Sequence, residues 1–411
     1  MLESISYEEA QKILLGAVRP KQDIEWIPLA DTIGRVLARN AEASLDQPPF
    51  PRSPLDGYAI RGEDTAGASF EHPASLRVVG KVYAGYVYEG EIGPGQALRI
   101  MTGAPIPRGA NAVIRQEETN MADVGEEVLL YQEVKPWQNY CRQGEDYQRG
   151  DILLKEGCVI GSGEAAILSS LGMAEVPVWR RPSVSIFSSG DEVMQPGQPL
   201  LPGKIYDSNL IYIRSRMKEF GIPVAASCHV ADQPQLMARY IRGAASTSDL
   251  IITTGGVSVG EKDIMHEVME ILEGEPLFWR VKLKPGMPTL AFIYRKIPVI
   301  CLSGNPFGAI ANLELLVRPL LAELSHDPGL RLQKQQAIVQ NGCAKPAGVT
   351  RFLRGHLEAG RVSISGKKQT SGAIATMAGC NCFVEVPAMQ KGVEEGSLVW
   401  VYPLAVRSAG Q

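Results

Sequence analysis

Hydrophobic and polar positions change their period along the chain, and the change marks out a central domain. Between Pro182 and Leu324, strand-like runs such as SVSIFSSG and DLIITTGG alternate with amphipathic helical patterns such as SNLIYIRSRMKEF. Strands that alternate with helices predict a doubly wound parallel sheet with helices on both faces. The run AIANLELLVRPLLAEL predicts one long helix at the end of this domain. The expected fold class is multidomain α/β plus β.

The regions on either side of the central domain follow other patterns. One helix is predicted from about Tyr7 to Val18, and the four prolines of DQPPFPRSPLDGYAI exclude a helix there. Short glycine-bounded runs from Leu76 to Leu130 predict a β-rich module, and alternating runs after Arg331 predict a small β-barrel-like domain. We expect an elongated N-terminal linker domain (residues 1–45 and 147–181), the β-rich module (46–146), the α/β domain (182–328) and the C-terminal β domain (329–411).

Composition and charge narrow the class of protein. The chain has 411 residues, 45% of them hydrophobic and 21% charged, which is typical of a globular multidomain protein. A net charge of −4 gives no support for nucleic-acid binding, and no run approaches the roughly 18 apolar residues of a membrane span. The start lacks the pattern of a secretory signal. Seven scattered cysteines predict free thiols in a cytoplasmic protein, and no zinc site.

Glycines, hydroxyls and acids collect at the predicted carboxyl ends of the strands, the edge where open parallel sheets bind ligands. Glycine lets backbone N–H groups approach an anion, and acids beside a phosphate can hold Mg²⁺. A helix cap explains any single acid equally well, but several on one edge favour a site. The residues concerned are Ser189, Gly190, Asp191, Glu192, Asp232, Gly255, Gly256, Ser258, Gly260, Asp263, Lys284, Pro285, Gly286, Ser303, Gly304, Asn305 and Pro306.

The stretch Gly256-Val257-Ser258-Val259-Gly260 allows three interpretations: a catalytic serine, a phosphate cradle, or a turn without chemistry. It matches the nucleophile elbow GxSxG, but Ser258 lies beyond the strand end. None of His266, His326 and His356 is placed as its base, which argues against a hydrolase. The stretch also lacks the GK[ST] ending of a phosphate loop. The cradle and the plain turn both remain open on these residues alone.

The motifs taken together resemble a known family, the molybdopterin molybdenumtransferases, to which MoeA and the C-terminal domain of gephyrin belong. The similar stretches extend through almost the whole chain: SPLDGYAI (53–60), RIMTGAP (99–105), GED (144–146), SGDE (189–192), TGGVSVG (254–260) with Asp263, and KPG (284–286). The resemblance implies a molybdopterin-binding α/β domain in an elongated homodimer. It also implies insertion of molybdate into adenylylated molybdopterin, with Mg²⁺ and release of AMP.

The resemblance also implies roles for individual residues. The implied catalytic residues are Asp56, Glu192, Asp232 and Asp263, of which the last three are also the implied metal ligands. The partner subunit is expected to contribute Asp56, Thr102 and Asp146, while Lys284, Arg351 and Ser371 are expected on the anion-binding side. A molybdopterin adenylyltransferase-type protein is the suggested partner. The alternatives are a divergent paralogue that binds, carries or modifies molybdopterin without metal insertion, and a scaffold protein.

The chain departs from the family pattern at three positions. Met287 stands in KPGMP where the family usually has KPGKP, so the expected oxyanion pocket lacks one cation. Ser303 and Gly308 stand in LSGNPFG where the family usually has LPGNPVS, so a proline and a potential hydroxyl donor are replaced. We therefore expect the selectivity for molybdate to differ, while the fold and the pterin site persist.

Overall fold

The computed structural model describes residues 1–20, 22–257, 263–344, 346, 348–365 and 369–406. The chain forms two compact units. The large unit contains Met1–Arg39, Glu156–Ala166 and Met173–Gln411, and the small unit contains Asn40–Lys155 and Ile167–Gly172. Within the described residues, no helix has both the length and the apolar character that crossing a bilayer requires.

The helices agree with the predicted periodicity, with one exception. They are α1 (Tyr7–Ala17), α2 (Ser162–Ser170), α3 (Asn209–Glu219), α4 (Pro234–Ala244), α5 (Met265–Ile271), α6 (Pro306–Asn312) and α7 (Arg318–Leu324). The hydroxyl of Ser6 accepts a hydrogen bond from Glu9 N and caps α1. The stretch predicted as one long helix, 309–324, is helical throughout, but a π-helical turn, Leu313–Val317, lies between α6 and α7. Pro319 has no N–H to continue the α-helical ladder at this point.

The strands are shorter and more numerous than the helices. In chain order they are β1 (Leu2–Ile5), β2 (Ile24–Pro28), β3 (Ala41–Glu42), β4 (Gly57–Ile60), β5 (Ala74–Val82), β6 (Gln96–Ile100), β7 (Ala112–Arg115), β8 (Glu127–Leu130), β9 (Ile152–Leu154), β10 (Glu175–Trp179), β11 (Val184–Ser189), β12 (Val193–Met194), β13 (Ile205–Tyr206), β14 (Val224–Val230), β15 (Leu250–Thr254), β16 (Glu275–Val281), β17 (Leu283–Lys284), β18 (Leu290–Tyr294), β19 (Ile297–Leu302), β20 (Gln335–Val339), β21 (Cys343–Ala344), β22 (Thr350–Glu358), β23 (Arg361–Ile364), β24 (Cys382–Val386), β25 (Gly392–Val393) and β26 (Leu398–Pro403).

The central sheet of the large unit has the order β1-β16-β18-β19-β15-β11-β14. Its part β19-β15-β11-β14 is parallel, as predicted. Helices α1, α3, α6 and α7 cover one face, and α4 and α5 cover the other, so the sheet is doubly wound. The other part is mixed, since β18 runs antiparallel to both of its neighbours. The carboxyl ends of the parallel strands therefore share one edge of the sheet.

The C-terminal β domain is a closed barrel, which confirms the expected barrel-like fold. Its strands follow the order β22-β23-β20-β26-β24, and β24 pairs with β22 to close the ring. The interior is filled by apolar residues from all five strands, among them Val339, Leu353 and Val401. Strand β17 pairs with β22 and so fastens the loop that leaves the central sheet to the barrel.

The small unit contains the predicted β-rich module. Its five-stranded sheet has the order β7-β4-β6-β5-β8, with apolar clusters on both faces. Tyr58 is buried in one of them, and its hydroxyl donates to Ala122 O at 2.7 Å. The proline-rich loop before β4 contains no helix, as its composition predicts. Isolated bridges join Gln47 to Tyr147, and Arg52 to both Pro105 and Cys141. The loop is therefore held between two other segments of the unit.

Candidate functional site

A pocket of roughly 410 Å³ lies at the carboxyl edge of the central sheet. The ends of β11, β15 and β19 form its floor, as expected for an open parallel sheet. Most of the predicted site residues of the large unit line this pocket: Ser189, Gly190, Glu192, Asp232, Gly255, Gly256, Asp263, Ser303, Gly304, Asn305 and Pro306. Ser258 and Gly260, which also belong to the predicted site, lie outside the described residues.

The glycine turn after β15 allows two strand ends to approach closely. Gly255 has a φ of +97°, which side chains other than glycine rarely adopt. A Cβ at this position would also lie 2.3 Å from Ser189 O, at the end of the neighbouring strand β11. Glycine is therefore required by the packing of the two strands, and it leaves the backbone of the turn open to the pocket.

Three buried polar atoms in the pocket have no hydrogen-bond partner within the described part of the chain. They are Ser189 Oγ, Asn209 Oδ1 and Asp232 Oδ1. The other oxygen of Asp232 accepts from Asp191 N at 3.1 Å, which fixes the carboxylate in place. Asp191 thus contributes its backbone N–H, while its side chain is exposed. Because buried polar atoms normally have partners, Ser189 and Asp232 are suited to a polar ligand.

The acids of the pocket differ in their surroundings. Asp263 is partly buried, and this burial raises the pKa of its carboxyl, although a hydrogen bond from Met265 N acts in the opposite direction. Glu192 lines the pocket beside Gly190. Among the described residues, no three His, Cys, Asp or Glu side chains are grouped closely enough to hold a metal ion by themselves. The predicted ligands Glu192, Asp232 and Asp263 line the pocket but do not form such a group. Mg²⁺ commonly takes only one or two carboxylates and completes its shell with substrate phosphates and water.

Asp207 and Asn209 are among the pocket residues that sequence reasoning missed. Asp207 accepts from Ser188 Oγ at 2.5 Å and from Leu210 N at 2.9 Å. Asn209 donates through Nδ2 to Thr254 Oγ1 at 3.0 Å and to Gly304 O at 2.9 Å. Their hydrogen bonds connect the start of α3 to residues at the ends of β11, β15 and β19. The stretch IYDSN, which places an acid and an amide directly before a helical pattern, was the signal available in the sequence.

A second group of predicted residues lies where the central sheet meets the barrel. Lys284 is the register partner of Arg351 in the pairing of β17 with β22. Ser371 O accepts from Phe307 N at 2.8 Å, at the start of α6. Gly286 O accepts from Asn312 Nδ2 at 3.0 Å. The structure thus brings the lysine turn, the barrel strand and the Asn305-Pro306 turn together.

Arg351 is the most constrained cation of this second group. Its side chain is buried, Nη2 donates to Pro346 O at 3.2 Å, and Nε has no partner among the described residues. Burial lowers the pKa of Arg351, because removal from water disfavours the charged form. A buried guanidinium with an unused N–H is suited to bind an anion.

The departures at positions 303 and 308 are physically linked. Ser303 is buried at the end of β19, and its Oγ accepts from Asn305 N at 3.3 Å. A Cβ placed on Gly308 would lie 2.7 Å from Ser303 Oγ and 2.9 Å from Ser303 Cβ. A side chain at position 308 would therefore crowd the serine that this chain has at 303.

Gly308→Ala is expected to destabilise the protein by about 1–3 kcal/mol, because it overpacks a filled site. Helix propensity alone favours alanine over glycine in α6, so a loss of stability isolates the crowding. Urea denaturation measures the change. The double variant Ser303→Gly with Gly308→Ala should regain most of the loss relative to Ser303→Gly. Additive effects of the two substitutions would show that the positions are independent.

The small unit brings together Asp56 and Thr102, two of the three residues predicted from its motifs. Asp56 Oδ1 accepts from Thr102 N at 2.7 Å and from Thr102 Oγ1 at 2.8 Å. These hydrogen bonds, the backbone one foremost, lower the pKa of Asp56 and keep it ionised at neutral pH. Asp146 is exposed, and its N–H donates to Gln47 O at 2.9 Å in the loop that leads to Asp56.

The pocket lies at the edge where open α/β sheets bind small molecules, which places the chain in that structural class. Family models describe the same regions: "MoeA N-terminal region (domain I and II)" matches residues 5–172, "Probable molybdopterin binding domain" matches 185–323, and "MoeA C-terminal region (domain IV)" matches 336–404. The chain belongs to the MoeA family.

Curated relatives and solved structures agree with this assignment. A molybdopterin molybdenumtransferase of Bacillus subtilis is 34% identical, over 92% of this chain and 89% of its own length. One of Staphylococcus epidermidis is 35% identical over 96% and 94%. A crystal structure of a molybdopterin biosynthesis MoeA protein from Pyrococcus horikoshii has a TM-score of 0.85 at 31% identity and covers 97% of this chain and 99% of its own. The resemblance inferred from the motifs is therefore confirmed.

Proposed function

We propose that this protein is a molybdopterin molybdenumtransferase, which inserts molybdate into adenylylated molybdopterin and releases AMP. The observation that carries the proposal is the strand-end pocket, in which an unpartnered oxygen of Asp232 lies among glycine turns. Relatives of that name match the chain over nearly its full length. The test is complementation of a cell that lacks its own molybdenumtransferase, with nitrate reductase activity as the measurement.

In this proposal the glycine turns bind phosphates and the acids orient the phosphoanhydride. The backbone around Gly255 and Gly256 approaches the anion, since no Cβ intervenes. Glu192, Asp232 and Asp263 are the residues that would hold Mg²⁺. Bound there together with the substrate phosphates, this ion neutralises charge on the phosphoanhydride oxygens. Asp232 has the clearest fit, because one of its oxygens is fixed and the other is unpartnered.

The oxyanion substrate, molybdate, is proposed to bind beside Lys284, Arg351 and Ser371. This group supplies one exposed ammonium and one buried guanidinium with an unused N–H. Met287 lies in the same turn as Lys284, and its side chain is 40% exposed. A methionine has neither the charge nor the hydrogen-bond donor of a lysine. The proposed site therefore binds molybdate through fewer cations than the family pattern provides.

Met287→Lys is expected to lower the molybdate concentration for half-maximal cofactor synthesis by about tenfold, equivalent to about 1.4 kcal/mol. The added ammonium attracts the oxyanion in a partly exposed turn, so the gain should shrink as salt is added. Titration of molybdate at two salt concentrations measures both effects. Met287→Gln is the control, since it adds a polar group without charge. No insertion in either wild type or Met287→Lys, with molybdopterin still bound, would contradict the transferase proposal.

That contrary result would favour the alternative function, a paralogue that binds, carries or modifies molybdopterin without inserting the metal. The observation that favours this alternative is Met287, which lacks the charge expected of the oxyanion pocket.

We also propose a cytoplasmic location, supported by the seven cysteines, which are all free thiols. A molybdopterin adenylyltransferase-type protein is the proposed source of the adenylylated substrate.

We further propose a homodimer in which the partner subunit supplies Asp56, Thr102 and Asp146 to the pocket. Mixing an Asp56→Asn variant with an Asp263→Asn variant tests this directly. In a mixed dimer with shared sites, one site carries both substitutions and the other carries none. Random exchange of subunits should then restore about a quarter of the wild-type AMP release. If each subunit forms its own complete site, mixing restores no activity.

A further inference from the structure

Residues 190–206 follow β11 and form a flap beside the strand-end pocket. Two short parallel strands shape the flap, with Val193 paired to Ile205 and Met194 paired to Tyr206. Its backbone is tied down by hydrogen bonds from Ile205 N to Glu192 O at 2.8 Å and from Tyr206 Oη to Gln198 O at 2.8 Å. The flap therefore presents its side chains in a defined arrangement.

One face of the flap is apolar and is directed to the pocket. Val193 and Ile205 are register partners, so their side chains share a face of the small sheet. Val193 Cγ2 would lie 2.9 Å from a Cβ on Gly190, which places this face against the turn that ends β11. Both residues line the pocket. Ile205 is nevertheless 55% exposed, so nothing within the described chain covers much of its side chain.

The position of Ile205 limits what can cover it. The carboxylates and backbone amides of the pocket bind polar atoms, whereas Ile205 gains from contact with an apolar surface. A planar heteroaromatic ring offers both, because its face is apolar and its edge carries hydrogen-bonding groups. The proposed substrate contains two such rings, the pterin and the adenine.

We propose that Ile205, backed by Val193, packs against the face of a heteroaromatic ring of the substrate and sets the affinity for that ring. This inference rests on the proposed function for the identity of the ring. It assigns the flap a role in substrate binding that is separate from the carboxylates of Glu192 and Asp232.

The flap offers a matched control for this assignment. Leu201 belongs to the same segment and is also 55% exposed, but it does not line the pocket. Ile205→Asn and Leu201→Asn remove apolar side chains of the same size and exposure. Only the first of them faces the ligand. Ile205→Val keeps an apolar contact and tests whether the effect of asparagine comes from lost contact or from a disturbed flap.

The experiment measures equilibrium binding of two probes, AMP and unsubstituted pterin, to the full chain without turnover. Ile205→Asn should weaken binding of one probe about tenfold, as expected for loss of one buried apolar side chain. Leu201→Asn and Ile205→Val should remain within about threefold of wild type. Loss confined to AMP assigns the adenine to the flap, and loss confined to pterin assigns the pterin.

Unchanged affinity of Ile205→Asn for both probes, or an equal loss in Leu201→Asn, would overturn the inference. Because only binding is measured, these results stand whether or not the protein releases AMP. Failure of the transferase proposal would instead appear as absent AMP release by a wild type that still binds a ring. A wild-type protein that binds neither AMP nor pterin would contradict both the role of the flap and the transferase proposal.

Discussion

Asp263→Asn is expected to fold like wild type and to lose AMP release by roughly two to three orders of magnitude, the usual cost of removing one preorganised electrostatic group from an active site. The variant keeps the size of the side chain and loses its charge. Asp263 lines the pocket in a partly buried position, where charge is screened less than in water. The measurement is chromatographic quantification of AMP from adenylylated molybdopterin in the presence of molybdate.

Glu270→Gln provides the control, because Glu270 lies on the exposed side of α5 and does not line the pocket. It should retain wild-type activity. The pH profile gives a second measurement. Burial raises the pKa of Asp263, so its carboxylate is present above that pKa and is lost as the pH falls through it. In the metal-free protein the carboxyl of Asp263 should therefore titrate above the ordinary range of an aspartate. Full activity of Asp263→Asn would remove this residue from the mechanism.

The strands that form the floor of the pocket were predictable because their signal is local. The run Leu250–Thr254 is apolar and β-branched, Val184–Ser189 combines Val184, Ile186 and Phe187 with serines, and a glycine follows each run. Their parallel order follows from the helices between them. Once the order is known, the residues after each strand must meet at one edge. The pocket was therefore accessible from sequence.

The outer part of the central sheet was not predictable in the same way. Strand β1, Leu2–Ile5, has four residues and forms only because β16 lies beside it, about 275 residues later in the chain. Pairing over such a distance leaves no periodic signal in either segment. The antiparallel direction of β18 depends in part on the tight turn to β19, in which Arg295 and Lys296 both have positive φ. Positive φ in a two-residue turn is typical of glycine and asparagine, so the residues Arg295 and Lys296 do not indicate this turn.

The link between Ser303 and Gly308 shows a similar limit. Each departure, considered alone, suggested a lost function: a changed strand end at one position and a missing hydroxyl at the other. The structure shows that a Cβ at position 308 would touch Ser303, so the two positions are neighbours in the fold. They lie five positions apart, across the turn from β19 into α6, and no helical or strand period connects such positions. Only the packing of the turn reveals their relation.

A buried ionic cluster joins the α/β domain to the chain after the barrel. Glu314, in the π-helical turn, is fully buried and accepts from Arg216 Nε at 2.6 Å and from Arg318 Nη1 at 3.3 Å. Both guanidiniums also donate to Leu404 O, at 2.8 Å and 3.1 Å. A single carboxylate thus compensates two cations that hold the end of β26 against α3 and α7. Removal of that carboxylate leaves Arg318 without its counterion and Arg216 with only the more exposed Glu219.

Glu314→Leu is therefore expected to destabilise the protein by about 3–5 kcal/mol, the usual cost of breaking a buried ion pair from one side. Guanidinium-induced unfolding measures the change in the free energy of unfolding. Glu219→Gln is the control on the same cluster, because Glu219 pairs with Arg216 from a side chain that is 56% exposed. Its cost should stay below about 1 kcal/mol. The triple variant Arg216→Met, Glu314→Leu, Arg318→Met should recover much of the loss, since it removes the uncompensated cations together with their partner. A Glu314→Leu variant as stable as wild type would show that water or the backbone carbonyls alone neutralise the two arginines.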